Sequence, residues 1–194
     1  MKRKQFCQLS PMAFRLAVAR CCAVRCIQDG ISGITFASQR QDELLPQVVY
    51  RHRSLIRRRL GNVDMELQEN KAVNLALAAP IVSKVLIRPG EVFSFWRLAG
   101  PPTVKRGFRE GLTIRNGVPS SGIGGGMCQF TNLIHWMVLH SPLEVVERHH
   151  HDGLDLFPDF NRQIPFGTGT SISYNYVDYR FRNPTRNTFQ LVVW

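Results

Sequence analysis

The sequence of 194 residues lacks any run of 18 or more apolar residues, so it predicts no membrane-spanning helix. It also lacks internal repeats and low-complexity linkers, which excludes repeat architectures. Hydrophobic residues make up 44% of the chain and charged residues 20%, which is not the composition of a disordered protein. These absences leave one compact domain with an extension as the expected organisation.

Acidic residues are scarce in the first third of the chain. Residues 1–60 hold 12 Lys and Arg against 3 Asp and Glu, whereas residues 61–194 hold 13 against 11. We interpret residues 1–60 as a basic, helical extension and residues 61–194 as the domain. The charge favours contact with a membrane surface or an anionic polymer, or it marks a solvated helical surface. Nucleic acid is not expected, because aromatic residues do not alternate with the basic clusters.

Cysteine is too unevenly distributed for a disulfide framework, since four of the five cysteines lie in the first 26 residues. Cys22 and Cys26 have the spacing of a metal or redox pair, but no second ligand pair follows at zinc-site spacing. We therefore expect small apolar side chains on a helix face, and no metal or cofactor. The cysteines are Cys7, Cys21, Cys22, Cys26 and Cys128.

A clear secretory signal is also missing. Residues 11–28 predict a helix, but Arg15, Arg20 and Arg25 interrupt it, whereas the apolar part of a signal peptide is uncharged. The sequence therefore leaves the compartment open and favours a cytoplasmic or membrane-associated protein. The apolar residues of this helix are expected either to pack on the domain or to lie on a membrane surface.

The remaining pattern predicts an α+β fold, with N-terminal helices followed by a mainly antiparallel β domain. One inserted helix, over residues 129–140, follows a glycine-rich loop that contains Cys128. A further helix is predicted from Met65 to Val85, kinked or ended by Pro80. Its predicted buried positions are Leu67, Val73, Leu75, Ala76, Ala79 and Val82. Asn116-Gly117 is typical of a hairpin turn. The predicted strands span residues 85–87, 92–96, 112–114, 143–147, 170–182 and 188–194.

The glycine-rich run that ends at Cys128 is the strongest functional signal. Glycines before a helix allow close approach of a ligand and leave N–H groups free at the helix start. That environment stabilises a thiolate, so we expect a lowered Cys128 pKa and a nucleophilic role. The same N–H groups would form an oxyanion hole. The alternatives are an anion-binding loop with a bystander cysteine, or a buried structural cysteine. The candidate binding residues of this run are Gly124, Gly125, Gly126 and Gln129.

Three consecutive histidines follow Arg148, itself a candidate binding residue. A nucleophilic cysteine requires an imidazole as base and as acid for the leaving group. In an extended segment, His149 and His151 lie on one face, which makes them the better candidates than His150. A zinc site built from Cys128, His149 and His151 is the alternative.

Other side chains complete the candidate site. Asp152 or Asp178 is expected to accept from the second ring nitrogen of the histidine. His135 lies two helical turns after Cys128 and shares its face. Beside Trp136, however, we expect His135 to be a packed core residue rather than a catalytic partner.

Several segments, in their order along the chain, resemble the VanW family, which is named from accessory proteins of vancomycin-resistance gene clusters. The resemblance runs from about Asn70 to Phe189. The segments that carry it are Pro89–Phe95, Gly107-Phe108, Gly122–Gln129, Val146–His149 with His151, and Asp178–Asn183.

The resemblance implies a role at the cell envelope. Some proteins with this domain are L,D-transpeptidases that cross-link peptidoglycan stem peptides through a cysteine acyl-enzyme. By resemblance, Cys128 would be the nucleophile and His149 or His151 its partner. Gly169 stands where many members have an Asp, and Asp152 stands where many have a Ser. We hypothesise that Asp152 compensates for the missing acid.

The function expected from the sequence is therefore cysteine-dependent acyl transfer on peptidoglycan stem peptides or their precursors, associated with glycopeptide resistance. The alternative is a non-catalytic module that binds a stem peptide or a partner protein of a resistance system.

Overall fold

The computed structural model describes residues 6–57, 64–115, 118–150 and 168–194. These ranges contain four α-helices and seven strands, which confirms the α+β class. None of the helices is long and apolar enough to cross a bilayer. The helices are α1 (Pro11–Ile31), α2 (Met65–Val82), α3 (Phe95–Ala99) and α4 (Met127–Leu139), with 3-10 turns at Phe6–Gln8 and Val104–Arg106. The strands are β1 (Val85–Ile87), β2 (Val92–Ser94), β3 (Glu110–Arg115), β4 (Val118–Ile123), β5 (Glu144–Glu147), β6 (Arg180–Arg182) and β7 (Phe189–Leu191).

The strands form three small antiparallel sheets, as the sequence predicts. In the largest, β6 lies between β2 and β5, and Phe93 of β2 is paired with Phe181 of β6. A second sheet pairs β1 with β7. The third is the β3–β4 hairpin, in which Arg115 is paired with Val118. The predicted turn at 116–117 lies outside the described residues, between these two paired positions.

The core lies between this sheet system and the helices α2 and α4. Phe93 and Phe181 stack with ring centroids 4.6 Å apart. Phe95 meets Phe130 of α4 edge to face at 5.6 Å. Aromatic pairs of these geometries add to the stabilisation from burial alone. Through Phe130, α4 is fixed against the core two residues after Cys128.

Helix α2 is shorter than predicted, and its buried face is different. It ends at Val82 rather than Val85, because Val85 is paired with Leu191 in the sheet. Pro80 is accommodated in the last turn. Ala76, predicted to be buried, is exposed. The buried positions of this helix are Gln68, Lys71, Asn74, Leu75, Ala78 and Val82.

The basic extension is helical only in its first part. Helix α1 continues to Ile31, beyond the predicted end at residue 28. The described residues from 32 to 57 contain no helix. Arg53 and Arg57 are one reason, because like charges four residues apart disfavour a helix. Arg57 instead forms an ion pair with Glu69 of α2 at 2.8 Å.

Part of the extension pairs with the sheet. The Val92 N–H donates to the Thr35 carbonyl and the Ala37 N–H donates to the Val92 carbonyl, both at 2.9 Å. Ala37 is buried in the core. Residues 35–37 therefore lie along the side of β2 that β6 leaves open. The division of the chain at residue 60 stays a prediction.

Candidate functional site

Cys128 lies in the first turn of α4, directly after the turn that follows β4. Two glycines of this turn are required by close packing. A Cβ on Gly125 would collide with the backbone of Gly111 in β3. Gly126 has φ of +90°, and a Cβ there would collide with the Lys71 side chain of α2. The glycines thus bring β3, α2 and the start of α4 together.

Two of the glycine N–H groups expected to bind a ligand are already used within the fold. The Gly124 N–H donates to the Arg109 carbonyl at 2.9 Å, and the Gly125 N–H donates to the Gly122 carbonyl at 3.0 Å. The oxyanion role predicted for Gly125 therefore does not fit this geometry. The N–H groups at the start of a helix have no intrahelical partner. In α4, after Gly126 as the N-cap, these include the N–H groups of Met127 and Cys128, of which the Cys128 N–H donates to its own thiol.

Asn74 of α2 holds the turn in place. Its Nδ2 donates to the carbonyls of Arg109 (3.0 Å) and Gly125 (2.9 Å). Its Oδ1 accepts the Arg109 N–H at 2.8 Å. The side chain is fully buried, so these bonds are shielded from water. Sequence reasoning missed Asn74, although an isolated Asn within the largely apolar stretch 72–79 is a signal for a buried polar contact.

A buried cation lies beside the N-terminus of α4. Lys71 is 4% exposed, and its stem covers Gly126. Its Nζ donates to Gln68 Oε1 at 2.6 Å. Gln68 is fully buried, and its Nε2 has no hydrogen-bond partner among the residues that the structure describes. The lysine charge adds to the positive end of the α4 dipole, so both favour an anion near this turn.

The Cys128 thiol is partly buried, and burial raises its pKa above the ordinary value. Backbone hydrogen bonds from Ile172 and from Cys128 itself act in the opposite direction but are the smaller effect. This differs from the lowered pKa expected from a helix N-terminus. The reason is that desolvation of the thiolate outweighs the local N–H groups. At neutral pH the group is therefore a thiol.

The segment that begins at Thr170 packs against the start of α4. The Cys128 carbonyl accepts from the Thr131 hydroxyl at 3.1 Å, and the Thr131 and Thr170 hydroxyls lie 2.5 Å apart. Asn132 Oδ1 accepts the Thr170 N–H at 2.6 Å. Gly169, which stands where relatives are expected to have an acid, immediately precedes this segment. The position is therefore next to the candidate site.

His149 lies on the other side of the same segment. Its carbonyl accepts the Ser171 N–H at 2.8 Å, and Ser171 adjoins Ile172, which bonds the Cys128 thiol. The His149 side chain is exposed, and its Nε2 lies 3.0 Å from Glu147 Oε1. Residues 171–172 thus connect the Cys128 thiol to the backbone of His149, whose ring contacts Glu147.

The acid beside His149 is not one of those predicted. Asp178 is buried and accepts from Ser94 Oγ (2.5 Å), the Trp96 N–H (3.0 Å) and Arg180 Nε (2.8 Å). Its oxygens are committed to the fold, and among the described residues the carboxylate that contacts the His149 ring is Glu147. Sequence reasoning missed Glu147. The available signal was that residues two apart in an extended segment share a face, which places Glu147 on the same side as His149. Asp152 and His151 lie outside the described residues.

His135 is a core residue, as expected. It is buried, and its Nδ1 lies 3.0 Å from the Tyr179 hydroxyl. Burial, and then the charges of Arg148 and His150, lower its pKa to about 4. The ring is therefore neutral at physiological pH. Its Nε2 has no hydrogen-bond partner in the described part of the chain.

Two other predicted binding residues have structural contacts. Gln129 Nε2 donates to the Leu55 carbonyl at 3.0 Å, which ties the extension to α4. Arg148 contacts the His150 ring, and burial lowers its pKa. Both side chains are thus engaged in contacts within the protein.

The described residues contain no group of three side chains suited to hold a metal ion. Cys22 Sγ donates to the Tyr174 carbonyl at 3.5 Å, and Cys26 Sγ accepts from Asn175 Nδ2 at 3.3 Å. These cysteines thus contact the domain through α1. The alternative zinc site includes His151 and lies partly outside the described residues.

Comparison with known proteins gives one family. The family model described as VanW like protein matches residues 70–194. The vancomycin B-type resistance protein VanW of Enterococcus faecalis (strain ATCC 700802 / V583) is 35% identical, over all of this chain and 70% of its own length. The uncharacterized protein YoaR of Bacillus subtilis (strain 168) is 28% identical over 59% of this chain and 36% of its own length. No solved structure matches.

Proposed function

Because this chain belongs to the VanW family, we propose that it is a cysteine-dependent acyl transferase that acts on peptidoglycan stem peptides or their precursors. The relative from E. faecalis is named for vancomycin resistance, and the proposed role is in such a resistance system. The observation that carries the proposal is the segment 171–172, whose backbone bonds the Cys128 thiol through Ile172 and the main-chain carbonyl of His149 through Ser171.

The raised pKa of Cys128 determines how the reaction would begin. A thiol attacks only when a base removes its proton during the attack. His149 is the described candidate, because Glu147 orients its ring and stabilises the imidazolium that forms. His151 remains the alternative base from the sequence.

In the acylation step, the base takes the Sγ proton and the sulfur attacks the carbonyl carbon of a stem-peptide amide. The oxygen of the tetrahedral intermediate would be stabilised by the N–H groups at the start of α4 and by the Lys71 charge. The C–N bond then breaks as the imidazolium returns the proton to the leaving amine. A thioester on Cys128 remains.

In the second step, an acceptor amine attacks the thioester carbon. The base removes a proton from that amine, the C–S bond breaks, and the sulfur is protonated again. One amide has been exchanged for another, so the reaction needs neither an oxidant nor a reductant.

The test is mass spectrometry of the intact protein after incubation with stem tetrapeptides and pentapeptides. We expect an acyl adduct that maps to Cys128, that is absent in Cys128→Ala and that persists in Cys22→Ser, a matched change of another partly buried thiol. His149→Gln should slow adduct formation by about a hundredfold or more. The absence of both an adduct and amide exchange in the wild-type protein would reject the catalytic proposal.

A second candidate function is a module that binds stem peptides without chemistry. The raised pKa of Cys128 and the engaged Gly124 and Gly125 N–H groups favour it. In this case a peptide carboxylate would lie near Lys71 and the start of α4. Calorimetry should then give clearly weaker binding for a peptide whose terminal carboxylate is amidated, with binding unchanged in Cys128→Ala. Equal binding of the two peptides would exclude this function.

A further inference from the structure

Helix α1 is attached to the domain by charged rather than apolar side chains. Arg25 donates two hydrogen bonds to Glu147, at 2.7 and 2.8 Å. Asp29 accepts two from Arg180, at 2.7 and 2.8 Å. Ala13, the only buried residue of α1, lies at the helical angle of Ile31 and thus away from Arg25 and Asp29. The inward face of this helix is therefore held mainly by two bidentate ion pairs.

The opposite face of α1 is apolar and exposed. Met12 is 70% exposed, Leu16 57%, Ile27 63% and Ile31 80%. At 100° per residue these four side chains fall within an arc of about 100°, roughly opposite Arg25 and Asp29. The usual arrangement of a surface helix, with its apolar stripe toward the core, is reversed here.

Charge identifies the kind of surface that would cover this face. Arg20 lies within the apolar arc and is exposed. In a protein interface Arg20 would need a dedicated acidic partner, because an unpaired buried charge is costly. At a bilayer its long side chain would reach the headgroup phosphates while the neighbouring apolar side chains enter the acyl boundary.

The acidic residues of the extension do not oppose this contact. The only acid of α1, Asp29, faces inward and is paired with Arg180. Residues 1–60 as a whole carry 12 basic against 3 acidic residues. We propose that α1 lies in the plane of an anionic phospholipid surface, with Met12, Leu16, Ile27 and Ile31 inserted and the two ion pairs holding the domain above it.

The test measures sedimentation of the full chain with vesicles of phosphatidylglycerol and phosphatidylcholine, and with vesicles of phosphatidylcholine alone. We expect binding to the anionic vesicles and weaker binding to the neutral ones. The double variant Leu16→Gln/Ile27→Gln should bind about tenfold more weakly for each apolar side chain removed. Leu139→Gln, an exposed leucine at the end of α4, is the matched control and should bind like the wild type.

Three outcomes would overturn the proposal. The first is that the wild-type protein does not bind anionic vesicles. The second is that the double variant binds as the wild type does and only salt weakens both, which would indicate charge contact without insertion. The third is a wild-type dimer in sedimentation velocity that the double variant lacks, without vesicle binding, which would assign this face to a second copy. Circular dichroism of each variant confirms that the helices are retained.

Discussion

Glu147 Oε1 lies 3.0 Å from His149 Nε2, while Arg25 of α1 holds the same carboxylate bidentately. One acid thus orients the candidate base and anchors the N-terminal helix. A carboxylate fixed on one side by a guanidinium is a rigid acceptor, which limits the rotation of the imidazole.

Replacing Glu147 with Gln should therefore have two effects. The loss of the charged bonds to Arg25 should lower the free energy of unfolding by about 2 kcal/mol. Amide exchange on stem peptides should slow by about tenfold or more, because His149 loses its orienting partner. Urea denaturation and mass spectrometry measure the two effects.

The control for this substitution is Glu144→Gln, on the same strand. Glu144 pairs with Arg182 at 2.7 Å, but both side chains are about half exposed. An exposed pair contributes little, so stability should change by less than about 1 kcal/mol. Equal effects of the two substitutions would contradict the role of Glu147 in anchoring Arg25 and orienting His149.

Asn74→Ala should destabilise the protein through the glycine turn. The substitution removes three hydrogen bonds and leaves the Gly125 carbonyl and the backbone of Arg109 without those partners. We expect a loss of about 3 kcal/mol in the free energy of unfolding. Asn70→Ala, on the same helix and only half-buried, serves as the control and should cost under about 1 kcal/mol. A similar loss in both variants would contradict the role of Asn74.

The raised pKa of Cys128 predicts how the thiol responds to pH. Alkylation by iodoacetamide should be slow at neutral pH and should accelerate only above pH 9.0, the ordinary value for a thiol. Because the unfolded protein releases this proton at lower pH than the folded protein, stability should fall as pH rises above 9.0. Peptide mapping after timed alkylation gives the rate at Cys128. Fast labelling at pH 7 would contradict the buried thiol.

His135 predicts a second pH dependence, in the acid range. The pKa of His135 is about 4 in the folded protein, against an ordinary value of 6.5. As the pH falls, the unfolded state therefore takes up the proton first. Stability should therefore fall by about 3 kcal/mol as pH decreases from 6.5 to 4. His135→Gln should remove that part of the slope, whereas His140→Gln at the exposed end of α4 should retain it. Urea denaturation at several pH values measures both.

The sequence predicts β1 and the helix that contains Cys128 better than it predicts the buried face of α2. The strand predicted at Val85–Ile87 is confirmed as β1. In contrast, only Arg180–Arg182 of the predicted strand 170–182 is a strand, and the strand predicted over 92–96 ends at Ser94, where α3 begins. In α2, by contrast, the side chains toward the site include Lys71 and Asn74. The apolar pattern of a helix cannot indicate a face whose buried side chains are polar. It therefore predicts a buried Ala76, which is exposed in the structure.

The chemistry of the site depends on contacts that are distant in sequence. Burial raises the pKa of Cys128 and outweighs both the hydrogen bond from the Ile172 backbone and the helix N-terminus that the local sequence indicates. The glycines suggest ligand binding, but Gly125 is required by its approach to Gly111. Glu147 rather than Asp178 meets His149, because Asp178 is enclosed by Ser94, Trp96 and Arg180.

The pairing of Thr35–Ala37 with Val92 has a consequence for how the chain can be divided. Without those residues, β2 would present unsatisfied backbone groups along one side, and such a strand edge recruits other chains. A fragment that starts at residue 61 should therefore aggregate or pair with its own copies. Residues 35–37 thus cover the open edge of β2, and we expect the domain to need them in order to remain monomeric.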